Sequence, residues 1–337
     1  MKALLLAGGK GSRLLPFTRT MPKQLLPVAN RPVLAHAVEH LRSVGARDVG
    51  VVVGEWGRQI RDSLGDGSRF GVRLTYLRQD SPDGLAHCVG LARSFLGDDD
   101  FVVYLGDNLF KEGLEAPART FRERGPQVQL TVQPRPDPRD FGVAVLTPGN
   151  RVLRVVEKPD HPPSDLAVLG AYFFRPSIHE AISSIRPSPR GELELTDAVQ
   201  WLVDRGDEVT AVRYDGYWRD VGRVEDLLES GRHYLEGLTP DLSGALDAES
   251  SVEGAVEIGS GAKVMRSRII GPVMVGEGTV IEDSVVGPGV TVGRDCHVRA
   301  ASIARSTVLD GVTVDGGDGF SGCLVGPEGL LACQEST

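Results

Sequence analysis

The chain has little of several things that would announce a function. Its four cysteines, Cys88, Cys296, Cys323 and Cys333, form no C-x-x-C pair and no zinc-finger spacing, so a disulfide framework and a structural zinc site are both excluded. Free thiols in a reducing compartment fit this usage. There are seven histidines and no H-E-x-x-H, and nothing in the sequence points to a flavin or pyridoxal site. No basic stripe offsets the net charge of −9, which argues against a nucleic-acid partner. No apolar run is long enough to span a bilayer. The run that opens the chain ends within a few residues, so no signal peptide is expected and the expected location is the cytoplasm. At 337 residues, 41% hydrophobic and 25% charged, the chain reads as an ordinary globular protein of about two domains.

What is present concentrates at the start. Ala3-Leu4-Leu5-Leu6-Ala7 is apolar without polar alternation, as in a central strand of a parallel sheet buried on both faces. Gly8, Gly9 and Gly11 follow, with Ser12, Arg13 and Lys23 close behind and Lys10 among the glycines. Glycines let backbone N–H groups approach an anion, and Arg and Lys supply a planar fork and a point charge. A solvated glycine turn would serve a lone Gly-Gly equally well. Two known phosphate loops fail here. G-x-G-x-x-G from Gly9 would need glycine at Leu14, and the P-loop fails because Lys10 is followed by Gly11.

Downstream, apolar runs at 49–53 and 101–105 and an alternating strand pattern at 72–77 are interleaved with helical periodicities at 33–44, 56–64 and 84–95. Such alternation predicts a doubly wound α/β sheet, mixed but mostly parallel, with ligands beyond the carboxyl ends of the strands. The opening glycines, Gln79 and Asp107 all fall at such ends, so one pocket can hold them. Asp98-Asp99-Asp100 precedes its strand and reads as a solvated turn. Asp107 is placed to hold a cation, and a turn aspartate bonding its own backbone fits the position equally. From 127 to 174 the chain is richer in strands, with a hairpin around Pro148-Gly149-Asn150. A helix ends near Arg205-Gly206, a strand covers 209–214, and a last helix covers 224–235.

Gly8-Gly9-Lys10-Gly11-Ser12-Arg13-Leu14, Pro16, Pro22 to Val28 and Arg31-Pro32 together resemble the signature of the sugar-nucleotide pyrophosphorylases, with Ser12 where that family more often has Thr. The resemblance covers about Met1 to Glu236 and implies a Rossmann-like nucleotidyltransferase domain joining a nucleoside triphosphate to a sugar 1-phosphate. It implies that Gly8, Gly9, Gly11, Ser12, Arg13, Gln24, Gln79 and Gly84 bind nucleotide, with Arg13 and Lys23 taking the departing pyrophosphate. It further implies that Gly142 and Glu157 contact sugar hydroxyls, that Lys158 neutralises the sugar phosphate, and that Tyr172 and Trp218 shape the sugar pocket. Asp107 and Asp220 would hold Mg2+. Lys23-Gln24-Leu25 and Pro82-Asp83-Gly84-Leu85-Ala86 most resemble the glucose-1-phosphate thymidylyltransferases with a C-terminal extension. The expected substrates are therefore dTTP and glucose 1-phosphate, with UTP used more weakly. A uridylyltransferase making UDP-glucose or another nucleotide sugar is the alternative.

Beyond Gly237 the text changes. Residues 237–254 are small, acidic and Gly/Ser-containing, an expected linker after a catalytic domain at 1–236. From 255 to 337, aliphatic-glycine pairs such as Ile258-Gly259, Val275-Gly276 and Val292-Gly293 recur at about hexapeptide spacing, which predicts a small left-handed β-helix domain whose coils bury their apolar sides by stacking. Residues after about Gly316 are expected to cap this stack or to fray. A β-helix also raises a second, acyltransferase activity or a non-catalytic nucleotide-sugar-binding subunit. His297 is the only histidine of that region, and the cations and carboxylates of the signature are retained. A homo-oligomer is the expected assembly.

Overall fold

A computed structural model describes residues 1–9, 11–316 and 319–333. The chain falls into two compact units, Met1–Gly9 with Leu34–Trp218 and Lys10–Val33 with Arg219–Thr337. The expected catalytic domain at 1–236 is thus divided, because the segment after the opening glycines packs with the C-terminal part.

The first unit is built on a nine-stranded sheet. Its strands are β1 (Lys2–Leu6), β2 (Asp48–Val53), β3 (Arg73–Arg78), β4 (Phe101–Leu105), β5 (Val128–Pro134), β6 (Gly142–Leu146), β7 (Val152–Glu157), β8 (Leu166–Phe174) and β9 (Val209–Arg213). Spatially they run β7-β6-β8-β4-β1-β2-β3, with β5 pairing β8 and β9. Strands β1, β2, β3 and β4 are mutually parallel, so their carboxyl ends share one edge. Strand β8 runs antiparallel to both β4 and β5, and β6–β7 is the expected hairpin. Helices α1 (Val33–Ser43), α2 (Gly57–Leu64), α3 (Leu85–Leu91), α4 (Glu115–Arg124), α5 (Ile178–Ser184) and α6 (Leu195–Arg205) connect them. The helix expected from 84 to 95 is interrupted at Ala92.

Burial follows the apolar text. Leu4 and Leu6 of β1 join Val103, Leu130 and Val168 in one core with Val89 of α3, Ile178 of α5 and Leu202 of α6. Ala3 and Leu5, on the opposite pleat, are equally buried, so both faces of β1 are covered.

In the second unit, the segment 11–33 folds as three single 3₁₀ turns, Ser12–Leu14, Phe17–Arg19 and Lys23–Leu25, followed by a two-strand ribbon. Asn30 Nδ2 donates to the Val292 carbonyl at 2.8 Å, and the buried Phe17 ring lies against Gly326, which ties this segment to the C-terminal strands. Helix α7 (Val224–Leu235) starts at a capping box in which the Asp226 carboxylate accepts from the Arg223 amide.

The C-terminal strands form three parallel ladders, the faces of a three-sided coil. Val256, Val273 and Val290 are in register, as are Lys263, Val280 and His297, so a coil takes about 17 residues rather than three full hexapeptides. That shortfall explains the irregular spacing in the sequence. Residues 241–253, expected as linker, are a correction: Asp241–Leu242, Ala245–Leu246 and Ser251–Glu253 pair in parallel with the next coil. The first coil has one solvated side, so small acidic residues suffice there. At one corner Ser250, Ser267 and Ser284 each accept the backbone amide from the coil above, at 3.0–3.1 Å. At another, Gly259, Gly276 and Gly293 stack so closely that a Cβ on Gly276 would lie 2.5 Å from the Gly293 carbonyl carbon. The hairpin Cys323–Gly326/Gly329–Ala332 closes the ladder at its end, while 317, 318 and 334–337 lie outside the described residues.

No helix among the described residues is long and apolar enough to cross a membrane.

His179 in α5 is 5% exposed and stacked on Phe101, with neither ring nitrogen hydrogen-bonded among the described residues. Burial, and then the positive charge of Arg93, lower its pKa below the ordinary 6.5. The unfolded chain therefore takes up a proton that the folded chain resists, and stability falls as pH drops through 6.5. Chemical denaturation of wild type and His179→Leu at pH 8 and at about pH 5.5 should show a smaller acid loss in the variant; equal losses would refute the assignment.

Candidate active site

At the shared carboxyl edge, the residues just past β1, β3 and β4 line one pocket of about 240 Å³. Gly8, Gly9, Gln79, Gly84, Cys88, Asp107 and Glu192 are among its walls. Of the opening glycines, Gly8 and Gly9 share this pocket with Gln79 and Asp107, while Gly11 belongs to the second unit. A Cβ built on Gly8 meets only Gln79 Oε1, at 3.9 Å, so the backbone here is open to a ligand.

Gly84 has φ +105, and a Cβ there would lie 2.4 Å from the Leu193 carbonyl oxygen. Only glycine lets the loop press against Leu193, whose amide donates to Asp83 O and whose carbonyl accepts from Ala86 N. This fixes the start of α3 on the pocket wall.

Asp107 is oriented by a residue that sequence reasoning gave no role. Asn108, 2% exposed, donates through Nδ2 to Asp107 Oδ1 at 2.9 Å and accepts from the Trp218 indole N–H through Oδ1 at 2.8 Å. Trp218 in turn packs edge-to-face on Phe141, beside Gly142, with the Arg135 guanidinium over its ring. The signal for Asn108 was its place in Gly106-Asp107-Asn108; nothing in the text pointed to the indole.

A second cluster sits at the open end of the β6–β7 hairpin. Gly142 and Glu157 are direct partners in register, and a Cβ on Gly142 would meet Thr196 Cγ2 at 2.8 Å. The Thr196 hydroxyl donates to Glu157 Oε2 at 3.0 Å, and Arg190 lies 3.6 Å from Glu157 Oε1. Burial raises the Glu157 pKa, opposed by the Thr196 hydrogen bond. Tyr172 is buried against Phe174, and its pKa is raised by burial and further by the Glu157 charge. Lys158 takes a left-handed backbone, φ +39, with its amide on the Phe141 carbonyl. Thr196 and Arg190 carried no motif and were missed.

Arg13, Lys23, Gln24 and Asp220 belong to the second unit, and Lys10 lies outside the described residues. Within that unit Gly11 (φ +61) packs against Lys23, and Thr18 Oγ1 donates to its carbonyl at 2.8 Å. Arg13 Nη1 approaches Gly222, whose amide donates to the Asp220 carbonyl at 3.1 Å, so the Arg13 fork and the Asp220 turn are neighbours. Ser12 opens the first turn, and Gln24 is buried at 1% exposure.

Among the described residues no group of three or more His, Cys, Asp or Glu side chains could hold a metal. A carboxylate whose partner oxygen is fixed by an amide, as in Asp107, fits a hard cation that takes its remaining ligands from phosphate and water.

The chain belongs to the Nucleotidyl transferase family, whose model matches residues 2–237. A second family, GlmU-like, C-terminal hexapeptide, matches residues 243–319 and identifies the three-sided stack as the hexapeptide β-helix. Among relatives, the chain is 48% identical to a glucose-1-phosphate thymidylyltransferase of Streptomyces griseus, over 97% of this chain and 92% of that one. A protein of the same name from Streptomyces antibioticus is 46% identical over the same shares. A crystal structure of UDP-glucose pyrophosphorylase with UDP-glucose superposes with a TM-score of 0.64 at 26% identity, covering 70% of this chain and 98% of that one.

Trp218→Phe keeps a ring on Phe141 and removes the N–H that orients Asn108. Loss of such an outer partner typically costs about 10- to 100-fold in activity, so steady-state nucleotidyl transfer should fall by roughly that factor while the unfolding midpoint moves little. Undiminished kcat/KM would remove Asn108 and Trp218 from the site.

Proposed function

We propose that the protein transfers a thymidylyl group from dTTP to glucose 1-phosphate, releasing pyrophosphate and forming dTDP-glucose. The observation that carries the reading is the pocket at the strand ends. Open glycine backbone, an amide side chain and an oriented carboxylate converge there, in a chain 46–48% identical to glucose-1-phosphate thymidylyltransferases over nearly its whole length.

An oxygen of the sugar phosphate attacks the α-phosphorus of dTTP. The new P–O bond forms as the bond from the α-phosphorus to the bridging oxygen breaks, and pyrophosphate leaves with that electron pair. The attacking phosphate is already a nucleophile, so no covalent residue is required. Two polyanions must be gathered in line, which makes charge neutralisation and positioning the main demands on the protein.

The backbone of Gly8, Gly9 and Gly11 and the hydroxyl of Ser12 are assigned to the triphosphate, and Gln24 and Gln79 to the base. Gly84 holds the loop on the pocket wall. Arg13 and Lys23 are assigned to the departing pyrophosphate. Gly142 leaves room for the sugar, Glu157 accepts from its hydroxyls, Tyr172 and Trp218 back that wall, and Lys158 neutralises the sugar phosphate. Asp107 and Asp220 are the carboxylates for Mg2+. When bound, the ion withdraws electron density from the α-phosphate and makes the phosphorus more electrophilic. UTP presents the same pairing edge as dTTP, differs from it by a methyl and a 2′-hydroxyl, and serves as a weaker substrate, since a methyl contact is worth only about 1–3 kcal/mol. A homo-oligomer is the proposed assembly.

The test is a matrix of common triphosphates against sugar 1-phosphates, scored by pyrophosphate formed. dTTP with glucose 1-phosphate should give the highest kcat/KM, and a purine triphosphate in that place would overturn the reading. In the same assay Asp107→Asn should lose about 100-fold or more in turnover with its circular dichroism unchanged. Turnover near wild type in Mg2+ would remove Asp107 from the metal role.

A further inference from the structure

The base-reading side chain is not free to choose which end of its amide it shows. Gln79 is rooted at the end of β3, its backbone amide donating to the Val53 carbonyl at 2.9 Å. Its side-chain Nε2 lies 3.0 Å from His87 Nδ1. An amide nitrogen has hydrogens and no available lone pair, so His87 Nδ1 is the acceptor and the ring carries its proton on Nε2. Asp83 Oδ2 stands 3.8 Å from the same ring nitrogen, beyond hydrogen-bond range, which leaves Gln79 as its partner.

With its nitrogen turned toward His87 on α3, the amide shows the pocket its oxygen. That oxygen is the nearest atom to a Cβ built on Gly8, at 3.9 Å.

We propose that His87, on the first turn of α3, locks the Gln79 amide so that only its acceptor faces the nucleobase, which admits bases carrying an N–H at that edge and turns away those carrying a lone pair. The inference rests on the assignment of Gln79 to the base in the proposed reaction. Thymine and uracil have N3–H and satisfy Oε1. Cytosine offers an unprotonated N3, and two acceptors would then face each other with no proton between them. His87 is a positioning residue: it acts through Gln79. The device does not separate thymine from uracil, which share the edge.

The experiment measures kcat/KM for dTTP, UTP and dCTP with glucose 1-phosphate, and the dissociation constant of each triphosphate by calorimetry, in wild type, His87→Leu and His87→Asn. Leucine cannot accept, so the amide is released to rotate; asparagine offers an acceptor near the position of Nδ1. In His87→Leu the dTTP:dCTP ratio should collapse by about tenfold or more, mainly through KM and binding, with the dTTP:UTP ratio unchanged. His87→Asn should restore most of the dTTP:dCTP preference. His87 is on a partly exposed helix face, and the calorimetric arm reads selectivity even in a variant with poor turnover. A dTTP:dCTP ratio unmoved in His87→Leu overturns the proposal, as does an equal loss for all three nucleotides, or an asparagine variant that behaves like leucine. Failure of wild type to release pyrophosphate from dTTP would instead strike the underlying reaction, and the inference with it.

Discussion

The parallel pairing of β1 with its neighbours is the constraint on which the site depends. Four strands, β3-β2-β1-β4, run the same way; β1, β2 and β4 are largely apolar on both faces, and the outermost, β3, alternates apolar with exposed polar side chains. The polar groups that line the pocket come from the first residues beyond the strands, and common polarity brings those residues to one edge. Gly8 follows β1, Gln79 follows β3 and Asp107 follows β4. Antiparallel pairing at any of these steps would send one of the three to the opposite edge.

From that edge the structure extends inward through contacts rather than through further motifs. Asn108 takes the Asp107 carboxylate on one side and the Trp218 indole on the other, and Trp218 reaches Phe141, next to the Gly142–Glu157 pair. Asn108 and Trp218 thus tie the Asp107 carboxylate to the wall that carries the Gly142–Glu157 pair. Both are buried and hydrogen-bonded, which orients Asp107 without help from a ligand, while Glu157 is held by Thr196.

How much of this was legible follows from the physics of each part. Uninterrupted apolar runs, helix periodicity and turn glycines report on local burial, so β1, the β6–β7 hairpin and α7 at 224–235 stand where the sequence puts them. Residues 241–253 misled because an end coil keeps a wet side and looks like linker. The association of 11–33 with the C-terminal strands was invisible, since contacts such as the Asn30 amide with Val292 and the Phe17 ring with Gly326 join residues 262 positions or more apart. His87, Thr196 and Arg190 escaped for a related reason. Each is a single polar residue on or before a helix, and only the fold shows that its partner is Gln79 or Glu157.

The stacked corner at Gly259, Gly276 and Gly293 limits how such a tail can change over evolutionary time. Each glycine fits because the backbone of the following turn passes where a side chain would be. Insertion of a few residues inside a turn would shift larger side chains into that column and force the layers apart. Gain or loss of one complete winding would keep glycine over glycine and serine over serine. Length variation in this part of the molecule is therefore expected to come in quanta of a full circuit, with irregular additions confined to the outward-facing bends.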